Sequence, residues 1–376
     1  MKTTTTALGA LALTATAAAA GGIERSVIGP AILFENGNYV DISFGNASPS
    51  VSGVTAIAIP LPTGGAIPAG QNSRNMTEDY TTLSFAMKKQ LNDQWDLGLL
   101  LNTPVGADVA YAPATGYIYG GSTATIKSQA LTAMLRYKVN GNVSVYGGLT
   151  AQRAEGNVAL FNGYTMSTSR ETDYGYMLGA AYEKPEIALR VALTYTSAIT
   201  HNFRATELTP TGPVQTRFES EVPQALTLDF QTGVAKDTLV FGSVRWRDWT
   251  AFDITPTVYT TATGGGSLVD YDDDSITYTV GLGRRFTENL SGAVFVSHEK
   301  SNGGFAGNLG PTDGYTALGL GLTYTKDNVR VSGGVTYAKI GNAKTEAPAP
   351  FPAGTTLANF RDNKTVGVGL KVGFSF

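Results

Sequence analysis

Arginine is the residue type in this sequence best placed to do chemistry. A guanidinium holds a carboxylate through two parallel hydrogen bonds, so arginines sharing one face of a strand could grip an anionic head group. Over Leu239–Trp249, Phe241, Ser243, Arg245 and Arg247 alternate with Val240, Gly242, Val244 and Trp246. A β-strand sends the two sets to opposite faces. The same alternation places Arg136, Arg190 and Arg285 opposite Leu135, Leu189 and Leu282. Five arginines thus share the non-apolar side of their strands. Two readings follow: they pair with acids such as Asp96 and Asp229 on that side, or one or two of them contact a ligand carboxylate.

Other reactive types offer less. His201, in TSAITHNFRA, and His298, in VFVSHEK, carry no accompanying nucleophile motif, and a Ser/His hydrolase needs an oriented pair. No catalytic residue is assigned, and the chain is read as a non-enzyme. The acidic run from Asp270 to Asp274 could attract a hard cation but lacks EF-hand spacing; it reads as a solvated loop. No metal and no cofactor are assigned. The absence of cysteine excludes disulfides, thiol catalysis and thiolate zinc sites. A net charge of −3 gives no electrostatic case for nucleic acid.

The elements that would carry these side chains are strands throughout. The chain closes on TVGVGLKVGFSF, in which Val366, Val368, Leu370, Val372, Phe374 and Phe376 share one face and small or polar residues, with Lys371, share the other. Such an uncovered apolar face is an aggregation hazard in water but is the outer wall of a barrel in lipid. Similar alternation recurs in Tyr80 to Gln90, Gln94 to Asn102, ALTAMLRYKV, VSVYGGLTA, DYGYMLGAAYE, IALRVALTYTS and onward, giving about fourteen segments of membrane-spanning length. Short turns such as Asn140-Gly141-Asn142 and Lys326-Asp327-Asn328 alternate with long Gly/Pro/Thr/Asp-rich loops, among them Pro104 to Ser122, Arg153 to Arg170 and Ala205 to Ser220. Segregated loop lengths are the pattern of an outer-membrane barrel, short turns in the periplasm and long loops outside. The fold class is therefore all-β: a transmembrane antiparallel barrel of about fourteen strands in the outer membrane of a Gram-negative bacterium.

Residues 1–20 read as a signal peptide: Lys2, a short apolar stretch, then Ala18 to Ala20. Residues 21–37 read as a short plug, because Ile23, Val27, Ile28, Ile32, Leu33 and Phe34 are too apolar for a free tail and too few to span a bilayer. Residues 38–376 form the barrel. Phe376 reads as the terminal aromatic signal for the barrel assembly machinery. The external stretch TAIAIPLPTGGAIPAG has two readings: its Ile57, Ile59, Leu61 and Ile67 collect a greasy ligand, or they pack against neighbouring loops.

Gly29 to Phe44, GPAILFENGNYVDISF, resembles the hatch-to-first-strand region of the FadL family of outer-membrane transporters for long-chain fatty acids and other hydrophobic compounds. Pro30 and Ala31 match that family's N-P-A motif, with Gly29 in place of Asn. The hairpins PQALTLDFQTGVAKDTLVFGSVRWRDWTAF and DDSITYTVGLGRRFTENLSGAVFVSHEK resemble its middle and late hairpins. The resemblance implies a hatch at Pro30, Ala31, Ile32, Leu33 and Phe34, although only GGIERSVI comes between the expected cleavage site and Gly29 here, so the plug is short. It implies passive uptake of a long-chain fatty acid or other hydrophobic molecule by a monomer amid outer-membrane lipid and lipopolysaccharide. It also implies a lateral gap at strand three. In QWDLGLLLNTPVGADVAYA the matching residues are Asn102, Pro104 and Gly106, and two readings stand: a kink there, or a strand that ends at Thr103. A diffusion porin for small solutes is the alternative function.

Overall fold

Alternation over ten or so residues suits a strand with lipid on one side and a lumen on the other. Enough such strands leave no free edge only by closing on themselves. The computed structural model describes residues 23–26, 29–61, 64–348 and 350–376. Fourteen strands form the ring: Tyr39–Ser50 (β1), Tyr80–Gln90 (β2), Trp95–Asn102 (β3), Thr123–Lys138 (β4), Val143–Ala159 (β5), Glu171–Lys184 (β6) and Leu189–Thr196 (β7), then Ala225–Ala235 (β8), Thr238–Arg247 (β9), Ser275–Arg285 (β10), Leu290–Glu299 (β11), Tyr315–Lys326 (β12), Val329–Ile340 (β13) and Lys364–Ser375 (β14). Each pairs antiparallel with the next, and β14 closes on β1 with Tyr39 opposite Ser375 and Phe44 opposite Leu370. No helix among the described residues is long and apolar enough to cross a membrane; the crossing is made by strands.

The two faces follow the alternation. On β12, Leu318, Leu320, Leu322 and Tyr324 point outward, about half exposed, while Ala317 and Thr323 are buried inside. On β14, Val366, Val368, Leu370 and Phe374 are exposed, while Lys371 faces inward against Asp41. Left-handed backbone at Ala188, Asp237 and Asp327 makes the short turns tight.

At the opposite rim the long loops fold into a cap. Val51, Met76, Tyr111, Tyr117, Leu357 and Phe360 form its core, braced by a small sheet of Gly53–Thr55, Thr356–Phe360 and Ala343–Glu346. Several expectations are corrected here. β4 begins at Thr123, ahead of the ALTAMLRYKV segment, and β5 extends to Ala159, into the Arg153 to Arg170 stretch read as loop. Ala205 to Ser220 belongs to a regular hairpin, Ile199–Thr209 with Gly212–Val222. That hairpin stands above the lipid, so its outward residues, such as Asn202, Arg204 and Arg217, are polar and lack the membrane signature. Ile59 is buried in the cap, and Ile57 and Ile67 pack on it; only Leu61 is exposed, so this stretch is chiefly loop core. The signal-peptide residues 1–20, and positions 21, 22, 27 and 28, lie outside the described residues.

Candidate functional site

The lumen is filled at two levels by the N-terminal segment. Lower down, towards the short turns, Ala31–Phe34 makes a 3₁₀ turn. Leu33 is fully buried with Ile32, Met134, Tyr146, Met177 and Ala181. Gly98 of β3 gives it room: a Cβ there would lie 2.7 Å from the Leu33 side chain. Arg136 donates to the Leu33 carbonyl at 3.1 Å and pairs with Glu183. The Phe34 ring lies between two guanidinium groups, 4.5 Å from that of Arg136 and 4.6 Å from that of Arg190. Lys88 donates to the Glu35 carbonyl, and Arg330 grips the Glu35 carboxylate at 2.9 Å. Two of the five arginines therefore hold the hatch.

Higher up, Ile23–Ser26 lies along the segment that follows β3. Arg25 N–H donates to the Pro104 carbonyl and Gly106 N–H to the Ile23 carbonyl, both at 2.8 Å. Ser26 donates its hydroxyl to the Thr103 carbonyl and accepts from the Asn102 amide. Glu24 reaches across to β9, where Arg245 and Arg247 donate to one carboxylate oxygen at 2.7 and 2.5 Å. Burial alone would push the Glu24 carboxyl up, but the two guanidinium groups outweigh it and hold it below its ordinary value. Arg285 is elsewhere: it clasps Asp237 at a short turn, with Nε at 2.8 Å. The expected pairing of arginines with Asp96 is not what forms; Lys88 and Lys138 take that carboxylate, while Arg190 lies near Asp229 and Glu183. The five arginines thus divide among three places, according to which acid the fold brings to each.

The wall is interrupted between these levels. Pairing of β3 with β4 runs from Trp95–Tyr137 to Asn102–Ala130, then resumes only at Ala107–Ile126. Pairing of β2 with β3 stops at Phe85–Leu101, and contact returns at Thr77–Val109 and Glu78–Asp108. From Tyr80 to Ser84, β2 has β1 on one side and no ladder partner on the other, a gap in the ladder about 17 Å long by the rise of a strand. Thr103–Gly106 leaves the wall there and is paired from within by Ile23–Ser26. Pro104 cannot donate to a ladder, and a Cβ at Gly106 would meet the Ile126 carbonyl at 3.1 Å and Arg25 at 3.2 Å.

Directly above lies an apolar cavity of about 80 Å³. Ile23 and Val105 line it from the kink side, Phe203, Phe218 and Val222 from the external hairpin, and Phe252, Leu268 and Tyr271 from the cap. No arginine or lysine lines it among the described residues. His201 does; it is buried, and its Nδ1 is 2.9 Å from the Asp173 carboxylate. The neighbouring Ser220 hydroxyl is committed to the Asp253 carbonyl, so the His–Asp pair meets no nucleophile there. His298 points outward and contacts Thr316. Among the described residues no group of His, Asp and Glu is placed to hold a metal. Asp274, in the run read as a solvated loop, accepts from the Trp246 indole and from Thr250 at the end of β9. Asp173 and the hairpin lining were not singled out from sequence. For the hairpin a signal exists, since His201, Phe203 and Ala205 alternate with polar residues.

Comparison with known proteins adds the following. The model of the family described as outer membrane protein transport protein (OMPP1/FadL/TodX) matches residues 2–376. No curated protein matches by sequence. Among solved structures, a Pseudomonas aeruginosa FadL homologue is similar with a TM-score of 0.75 at 14% identity, covering 92% of each chain. The Pseudomonas putida toluene transporter TodX is similar with a TM-score of 0.60 at 12% identity over 96% of this chain and 98% of that one. The monoaromatic hydrocarbon channel CymD gives 0.58 at 12% identity over 92% and 90%. At these identities the structural likenesses speak for the fold.

Proposed function

The chain belongs to the outer membrane protein transport protein family (OMPP1/FadL/TodX), Gram-negative outer-membrane channels for hydrophobic compounds, and from that premise we propose passive uptake with sideways release into lipid. The cargo enters the apolar cavity under the cap and leaves through the window between β2 and β3. The observation that carries this reading is that Val105, in the kink beside the window, also lines the cavity. A hydrophobic molecule gains nothing by descending to the polar periplasmic end. Sideways release spares it roughly 0.8 kcal/mol per methylene of exposure to water.

A long-chain fatty acid is a second reading of the cargo, favoured by Arg245 and Arg247 beyond Ile23. Its carboxylate would replace that of Glu24 on the two guanidinium groups. The outer wall above the lipid belt also suits lipopolysaccharide phosphates, since Lys127, Arg153, Arg170, Arg204 and Arg217 are all exposed there.

Gly106→Trp tests the route. It fills the kink where Arg25 and the Ile126 carbonyl already crowd the position. Uptake of a radiolabelled hydrophobe by cells should fall severalfold at unchanged barrel abundance; normal uptake would exclude lateral release. A large steady ion conductance of the wild-type barrel in planar bilayers would favour a porin instead.

A further inference from the structure

Beneath the cavity a row of facing residues crosses four strands at one depth, polar on three of them. Asn102 of β3 stands opposite Ala130 of β4, Ala130 opposite Gln152 of β5, and Gln152 opposite Asp173 of β6. Asp173 in turn holds His201, which lines the cavity. Gln152 is completely buried, and neither its amide nitrogen nor its oxygen has a hydrogen-bond partner among the described residues. The same is true of His201 Nε2 and of Asn102 Oδ1. Buried polar atoms without partners destabilise a core, and apolar residues at these positions would not. Of these residues His201 lines the cavity, and its unpartnered Nε2 points to a polar atom supplied by a ligand.

The chemistry of that atom is constrained. Asp173 is an acceptor, so it fixes the His201 proton on Nδ1 and leaves Nε2 as a lone-pair acceptor. Burial lowers the His201 pKa more than Asp173 and Glu171 raise it, so the ring is neutral at pH 7. The charged side chains nearest the ring are Asp173 and Glu171; across the cavity Glu155 is the charged lining residue, and Arg170 pairs with it. An anionic head group meets acceptors and acids here. A neutral hydroxyl can donate to Nε2. Resting on the cavity reading above, we propose that the cargo is a neutral apolar molecule bearing one hydroxyl, of the phenol class, whose O–H donates to His201 Nε2 while its ring fills the cavity.

The test uses the full barrel in lipid nanodiscs, to avoid detergent in the cavity, with 4-methylphenol, toluene and 4-methylbenzoate as probes in equilibrium dialysis at pH 7. The phenol should bind about tenfold more tightly than toluene, the scale of one hydrogen bond, and the benzoate more weakly than both. His201→Phe, which keeps a ring stacked on Phe203, should lower phenol binding to the level of toluene and leave toluene unchanged. His201→Gln, which retains an acceptor oxygen, should restore part of the preference, and it serves if the phenylalanine variant misfolds. Equal binding of phenol and toluene by the wild type, or a preference surviving in His201→Phe, would overturn the inference and leave the cavity reading standing. Tightest binding of the benzoate would overturn it in favour of an anionic cargo. If none of the probes binds, the cavity reading falls and this inference with it.

Discussion

Glu24 bridges two parts of the molecule: its backbone pairs with Val105 at the kink, and one oxygen of its carboxylate is held by Arg245 and Arg247 across the lumen. Glu24→Gln removes the charge and keeps the shape. Losing one partner of a largely buried charge pair costs about 2 kcal/mol at the lower end of the usual range, because the remaining guanidinium charges are left without a counter-charge. The opening of Ile23–Ser26 should become roughly thirtyfold more favourable. Hydrogen exchange at the Arg25 and Gly106 amides reads this directly, since both donate only across that junction; unchanged protection would show that the carboxylate is not the latch. The pH dependence follows from the sign of the shift. A carboxyl held below its free value of 4.5 contributes stability that is fully present above that value and is lost as pH falls through the lowered one. Protection of these two amides should therefore be flat from pH 7 to about 5 and fall with further acidification, and Glu24→Gln should abolish the dependence.

At the scale of elements, the hatch depends on one position where a strand carries no side chain. Gly98→Leu would drive a branched chain into Leu33, whose place among Ile32, Met134 and Met177 has no slack. Overpacking of this kind costs typically 1–3 kcal/mol. The 3₁₀ turn should be displaced while the barrel, held by its ladders, persists. Limited proteolysis near Ala31–Phe34 should accelerate while the heat-modifiable band of the folded barrel remains; an intact hatch would mean that Leu33 can repack. The ring itself was legible because lipid imposes a rule on every strand: Leu318, Leu320 and Leu322 must face out, and the residues between them must be small or polar. The external hairpin was not, because water imposes no such rule on Asn202, Arg204 and Arg217. Pro104 and Gly106 could be read as breakers of a strand ladder from their chemistry alone. Glu24 could not be matched to Arg245, 221 residues away, because only closure of the barrel brings them together. Alternation sets Arg136, Arg190, Arg245 and Arg247 on the inner side of their strands, but it says nothing about which acid each one meets.

A ring of fourteen strands encloses a lumen wide enough to conduct ions unless something fills it. Here the filling has two separable floors, and they predict different behaviour on truncation. The upper floor, Ile23–Ser26, pairs with the kink, and its Ile23 lines the cavity. The lower floor, Ala31–Glu35, is held independently by Arg136 at the Leu33 carbonyl, Lys88 at the Glu35 carbonyl and Arg330 at the Glu35 carboxylate. None of those three contacts involves a residue before Pro30. Deleting residues 21–28 should therefore raise uptake of a hydrophobic tracer, because the segment paired with Thr103–Gly106 is gone, yet leave ion conductance in planar bilayers near that of the wild type. Deleting residues 21–35 should raise conductance severalfold, because both floors are lost. The two measurements together distinguish a lateral path from an axial one. If the shorter deletion already conducts like the longer, the lower floor is no barrier and the lumen is one continuous pore. If the shorter deletion conducts little but also leaves uptake unchanged, Ile23–Ser26 does not gate the window, and cargo movement is limited at the cap instead.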